Sequence, residues 1–239
     1  MKKKTVALML AINMLTNPAI GFAATATATI PGFYGNVMPP AINTLPVTRG
    51  TSFTGVDSIT TDSSKNLMTI NQNQQYATIN WNSFNIGSKA TVYFSQKNAK
   101  GVAQPTWAAL NRIYDQNPSL IFGTLKADGR VYLINQNGIL FGPGSQVNVH
   151  SMVASALNIR DNDFLIKDTN INNPFVFTFD PAWNFQSPGK INQSGVISNQ
   201  GTIVTDNGGT VILLGPRVEN NGTITAPLGK ISLLSLIHI

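Results

Sequence analysis

Side chains that could carry out chemistry are few in this chain, and their spacing does not suit catalysis. His150 and His238 are the two histidines and Glu219 is the one glutamate. Cysteine is absent, which removes thiol nucleophiles, disulfides and iron–sulfur ligation. There is no HExxH motif, no His/Cys cluster and no Walker loop. Gly142-Pro143-Gly144 lacks the Lys-Ser/Thr pair that a phosphate loop needs, so it reads as a turn. Asp161 and Asp163 come nearest to a carboxylate pair for Ca²⁺ or acid/base work, but acids of this kind are ordinary in a loop after a strand. A polysaccharide lyase would group carboxylates and a base on one flank. The C-terminal third offers only Asp206, Arg217 and Glu219 for that role. No catalytic, cofactor-binding or metal-binding residue is assigned.

The amides are more informative. Between Asn117 and Ile159 short β-branched and aromatic runs alternate with Asn, Gly and Pro turns. Two Asn-rich groups stand out: Asn117-Pro118-Ser119-Leu120 and Asn135-Gln136-Asn137-Gly138-Ile139. Asn can bond its own backbone and Asn-Gly tolerates positive φ, so both groups read as turns. A surface of this composition suits recognition by another protein better than catalysis.

The elements that must position these turns are strands. Strand signals cover 58–64 and 67–71 around a Lys65-Asn66 turn, then 76–81, 91–94, 131–134, 147–149 and 175–179. One short helix is predicted over Thr106–Gln116, bounded by Pro105 and Pro118, with Trp107, Leu110 and Tyr114 on one side. Trp81, Phe84, Tyr93 and Phe94 read as core rather than as a carbohydrate platform, while Trp183 sits in a loop-like context. In the last third Gly201-Thr202-Ile203 recurs as Gly222-Thr223-Ile224, and Gly209-Thr210-Val211 as Gly229-Lys230-Ile231. A period near ~20 residues suits one coil of a β-solenoid. Ile203 should then stack on Ile224 and Val211 on Ile231, with Gly and Asn recurring at corners where left-handed backbone costs little. A hairpin meander with two similar turns is the competing arrangement.

Composition fits an exported chain. Charged residues make up 11% and hydrophobic ones 42%, so polarity comes from amides and hydroxyls. The net charge of +6 includes Lys2, Lys3 and Lys4. The remaining basic residues are scattered, without the block that nucleic-acid binding needs. Met1–Lys4, the short apolar run Thr5–Leu15 and Gly21-Phe22-Ala23 form the three regions of a secretory signal over residues 1–23, with a mature start near Ala24.

Three ordered motifs, Ile79–Gly87 (INWNSFNIG), Asn117–Leu120 and Val131–Phe141 (VYLINQNGILF), together resemble the N-terminal two-partner-secretion domain of filamentous-haemagglutinin-like exoproteins of Gram-negative bacteria. The resemblance covers about Gly35 to Leu233. Ser119 stands for the second Asn of the family's NPNL motif, and Gln136 for the Pro of NPNGI. The resemblance implies an all-β fold: a right-handed parallel β-helix with an N-terminal cap, for which Thr25–Asn66 is the candidate, and with extra-helical strands. It implies export by the Sec translocon, cleavage by signal peptidase, and recognition in the periplasm by the polypeptide-transport-associated domains of an outer-membrane β-barrel transporter. The chain would then be secreted or held at the cell surface, as the leading domain of an adhesin-like exoprotein whose downstream part meets a host or bacterial receptor. Residues 24–233 would be the secretion domain, with Asn117, Pro118, Ser119, Leu120, Asn135, Gln136, Asn137, Gly138 and Ile139 as its recognition motifs. Leu234–Ile239 reads as the foreign end of a truncated chain. A surface polysaccharide-binding or lyase-type β-helix is the alternative function.

Overall fold

The structure is a computed structural model and describes residues 38–159, 164, 177–178 and 195–235. The signal segment, the first part of the expected cap, Asp161, Asp163, Trp183 and residues 236–239 lie outside the described residues.

Three sheets wrap a single core. Sheet B holds Val56–Asp62, Leu67–Gln72, Thr91–Gln96, Thr124–Ala127, Gln146–Val149, Thr202–Thr205 and Thr223–Thr225. Sheet A holds Val47–Thr54, Tyr76–Ser83, Ala108–Ile113, Arg130–Ile134, Ser151–Ser155, Thr210–Gly215 and Lys230–Ser235. Sheet C holds Ser119–Ile121, Gly138–Phe141, Val196–Asn199 and Arg217–Asn220, and Ile86 bridges to Ile121 below it. The chain visits B, then A, then C, and repeats. After the first strand of sheets A and B every pairing within the three sheets is parallel. This is a parallel β-helix, and crossovers between parallel strands of one sheet are right-handed almost without exception.

Alternating apolar residues point inward and stack from coil to coil. Met68, Val92, Leu125, Val147, Ile203 and Ile224 form one ladder in sheet B. In sheet A Ala77, Ala109, Val131, Met152, Val211 and Ile231 form another. Ile203 thus lies on Ile224 and Val211 on Ile231, as the repeat predicts, and no hairpin meander is present in that region. Each fully buried aliphatic side chain stabilises the coil by about 1.5–3 kcal/mol relative to exposure.

The first coil is covered. Val47–Thr54 pairs antiparallel with Tyr76–Ser83, and Val56–Asp62 with Leu67–Gln72. Backbone bonds from Gly87 N–H to Thr44 O (2.9 Å) and from Lys89 N–H to Ile42 O (2.7 Å) lay the segment before these strands beneath sheet C. Free strand edges invite pairing with other chains, and these antiparallel strands and loop occupy them.

Two expectations are corrected. The helix predicted over Thr106–Gln116 is a strand, Ala108–Ile113, buried at all six positions. Ala109 and Ile113 enter the core, while Leu110 joins a second cluster on the outer side of sheet A with Tyr132, Val153, Ile159 and Phe164. Strands covered on both faces lose their period-2 signal, and that is why the segment reads as helical. The rings of Tyr76 and Tyr132 meet Phe164 edge-on at 5.6 and 5.3 Å. An excursion leaves the helix after Ser155: Asn158–Ile159 pairs antiparallel with Phe177–Thr178, an extra-helical sheet. Tyr93 is the second correction. Trp81, Phe84 and Phe94 are wholly buried, but Tyr93 faces outward from sheet B.

Candidate functional site

The two Asn groups meet at the corner between sheets A and C, on consecutive coils. After Arg130–Ile134 the chain must turn sharply, and Asn135 turns it. Its Oδ1 accepts from Asn137 N–H (2.9 Å), and its carbonyl accepts from Gly138 N–H (2.9 Å). Gly138 has φ +106°, outside the reach of most side chains, so glycine is required here. The turn closes with Gln136 in place of proline, because the two bonds to Asn135 supply the constraint that a ring would.

The side chains then bind one coil to another. Asn135 Nδ2 donates to Asn117 O (3.1 Å) and to Ser119 Oγ (3.0 Å). Asn137 Nδ2 donates to Asp115 O (2.7 Å). One coil earlier Asp115 Oδ1 accepts from Asn117 N–H (2.9 Å) and Nδ2 (3.1 Å), the same Asx turn that Asn135 makes with Asn137. Another coil back, Asn85 Oδ1 accepts from Leu120 N–H (2.7 Å).

Backbone register aligns the motifs. Ile139 pairs with Ser119 and Leu140 with Leu120, so Asn117 corresponds to Asn137 and Asp115 to Asn135. The repeated units are therefore Asp115-Gln-Asn-Pro-Ser-Leu120 and Asn135-Gln-Asn-Gly-Ile-Leu140. Asp115 and Asn85 were missed by the sequence reading. The signal that could have found Asp115 is the repeated Gln-Asn at 116–117 and 136–137.

Exposure divides the motif residues. Asn135, Ser119, Gly138 and Ile139 are buried, Pro118, Leu120, Gln136 and Asn137 are partly covered, and Asn117 is exposed. In the folded chain, the amide that links the two turns is thus inaccessible to any partner.

The other corners carry similar ladders. Gln96 Nε2 donates to Gln72 Oε1 (3.0 Å), and Gly129 N–H donates to Gln96 Oε1 (2.6 Å). Asn199 Nδ2 donates to Asn220 Oδ1 (2.8 Å). Inside the core, Trp81 Nε1 donates to Asn111 Oδ1 (2.9 Å). Buried amides are costly unless paired, and stacked coils pair them.

The corner glycines are not explained by backbone sign. Gly201, Gly209, Gly222 and Gly229 do not have positive φ. A Cβ at Gly209 would strike His150 O, one at Gly222 would strike Gly201 O, and one at Gly229 would strike Gly209 O. The recurring glycines set how closely one corner can sit on the last. This corrects the expectation that left-handed backbone selects them.

Among the described residues Asp206, Arg217 and Glu219 do not converge. Asp206 Oδ2 lies 3.6 Å from His150 Nδ1 at the corner between sheets B and A, whereas Arg217 and Glu219 pair at 2.6 Å on a strand of sheet C. Among the described residues no group of three or more His, Cys, Asp or Glu could hold a metal ion.

Comparison with known proteins agrees with this architecture. The family model described as the TPS secretion domain matches residues 47–235. The chain is 33% identical over 171 residues, 71% of its length, to the heme/hemopexin-binding protein of Haemophilus influenzae strain Rd. It is 40% identical over 93 residues, 39% of its length, to a second Haemophilus influenzae protein of that name. These matches span only 17% and 9% of the respective relatives. Among solved structures, the HMW1 secretion domain from Haemophilus influenzae superposes with a TM-score of 0.54 at 27% identity, over 77% of this chain and 44% of that one.

Proposed function

The chain belongs to the TPS secretion domain family, and on that premise we propose that its two stacked Asn turns are what the partner transporter reads, and that it reads them before they fold. As a member of the family it is the secretion domain of a large exoprotein that crosses the outer membrane by way of a partner transporter. The carrying observation is that Asn135 is fully buried and occupied by Asn117, Ser119 and Asn137 once the corner forms. In the extended chain the same amides are free to bond a partner's backbone. Recognition and folding therefore compete for one set of donors.

The remaining steps follow from this order. Residues 1–23 direct the chain through the Sec translocon, signal peptidase cleaves near Ala24, and polypeptide-transport-associated domains of the barrel capture residues 115–140 in the periplasm. Coils form outside the cell, each on the one before it, and oppose return through the pore. The downstream part of the exoprotein carries the effector activity at the cell surface. The names of the relatives favour a heme-carrying protein as its target.

The test uses the purified periplasmic domains of the cognate barrel. The chain held unfolded in mild urea should be captured, the refolded chain should not, and export from cells should need the barrel. Equal capture of the folded chain, or release from cells lacking the barrel, would overturn the reading.

A further inference from the structure

Tyr93 is an aromatic side chain placed where the core cannot use it. Its strand alternates, with Val92 and Phe94 inward and Thr91 and Tyr93 outward. Neighbouring strands set Thr69 on one side of Tyr93 and Lys126 on the other, at the strand spacing of about 4.8 Å. In the adjacent outward ladder Leu67, Thr91 and Thr124 lie side by side. Together Lys65, Leu67, Thr91, Tyr93 and Lys126 line an open hollow of about 450 Å³ on the outer face of sheet B.

The ring is held in position. Tyr93 OH donates to Asp128 Oδ1 (2.8 Å) and lies 2.9 Å from Oδ2, and Asp128 is itself fixed by Gln96 N–H (3.1 Å). Burial, and then the bond to Asp128, holds the phenol above its ordinary value, so the hydroxyl stays committed to that carboxylate. What Tyr93 offers a ligand is its ring. Lys97 Nζ stands 5.9 Å from the ring centroid and partly offsets the Asp128 carboxylate there. At one rim Lys65 is paired with Asp62 (2.9 Å), but at the other Lys126 makes no ion pair among the described residues.

We propose that this hollow is a subsite for an acidic polysaccharide, in which Tyr93 and Leu67 take the apolar face of a sugar, Thr91 its hydroxyls and Lys126 its carboxylate or sulfate. Aromatic rings present a broad apolar surface, and the outward polar ladder continues along the helix axis from Thr124 through Gln146, Thr202 and Thr223. An acidic peptide fits less well. Sheets bind peptides through a free edge, and the strands beneath this hollow are paired on both sides. The inference goes beyond export and does not depend on it.

The test is retention of the purified 239-residue chain on immobilised polygalacturonate, dextran sulfate, neutral dextran and polyglutamate. The two acidic glycans should retain it, and neutral dextran should not. Tyr93→Ala should weaken retention about tenfold and Lys126→Gln about fivefold, whereas Tyr93→Phe, which keeps the ring, should stay within about twofold of the parent. No retention on either acidic glycan overturns the proposal. So does polyglutamate binding as tight as glycan binding, or unchanged retention in Lys126→Gln. If circular dichroism shows Tyr93→Ala misfolded, Lys126→Gln and Tyr93→Phe decide the question.

Discussion

At the residue level the Asn groups illustrate how one side chain can be both a signal and a fastener. Asn135→Ala removes the donor to Asn117 O and Ser119 Oγ and the acceptor for Asn137 N–H. With the Ser119 hydroxyl buried and the other two groups partly covered, the expected loss is about 1–3 kcal/mol in urea unfolding. Asn117→Ala, at an exposed position, should change stability by less than about 0.5 kcal/mol. The two variants therefore separate the motif's structural role from its sequence identity in an export assay. A second residue-level expectation concerns Asp62, whose carboxyl is held at about 2 by the Ser64 hydroxyl first and Lys65 next. A carboxylate depressed below its unfolded value contributes stability above roughly pH 4 and loses it as pH falls through about 2. The pair lies at the surface, with Lys65 exposed and Asp62 partly covered, so the effect is best read directly: an NMR titration should place its midpoint near 2, and Lys65→Ala should raise it.

At the level of elements, close corner stacking makes a strong prediction. Gly209→Ala puts a Cβ into His150 O and should cost about 1–3 kcal/mol by overpacking. Gly208→Ala meets only open space, but at φ +78° it should cost about 1–2 kcal/mol for its backbone. If Gly209→Ala were neutral by thermal melting, the spacing argument would be wrong. Phe164→Ala empties the cluster between Tyr76 and Tyr132 and should cost about 3–5 kcal/mol. These elements also show what was legible in advance. The Ile203/Ile224 and Val211/Ile231 stacks were readable because neighbouring coils repeat side chains in register. Ala108–Ile113 was not, because its outer face is covered by Phe164, a partner from far along the chain that no local periodicity announces. The turn at 135–138 was legible from Asn-Gly chemistry. The pairing of Asn117 with Asn137 was not, since only strand register fixes it. Tyr93 is set outward by strand alternation, which puts it on the face opposite its buried neighbour Phe94, whereas residue type alone reads both as core.

For the whole molecule, coils that touch mainly their neighbours can be laid down in order as the chain emerges from a pore. Ile212 lies on a strand paired on both sides, with Val153 on one and Ser232 on the other. Ile212→Pro removes a ladder bond there, and secretion efficiency should fall; unchanged efficiency would show that coil formation does not drive transport. The same layered construction has a mechanical consequence. Pulled by its two ends, such a spiral should peel rather than shear, one layer per rupture. A layer of about 20 residues releases roughly 70 Å of contour at ~3.3–3.6 Å per residue. The layer carrying the excursion between Gln146 and Thr202 should give a single much longer step of roughly 190 Å. An optical-tweezer trace of this domain should show teeth of roughly 70–85 Å, a longer one of roughly 115 Å for the layer from Thr91 to Thr124, and that one outsized extension, so that drag on the domain would be absorbed in discrete steps.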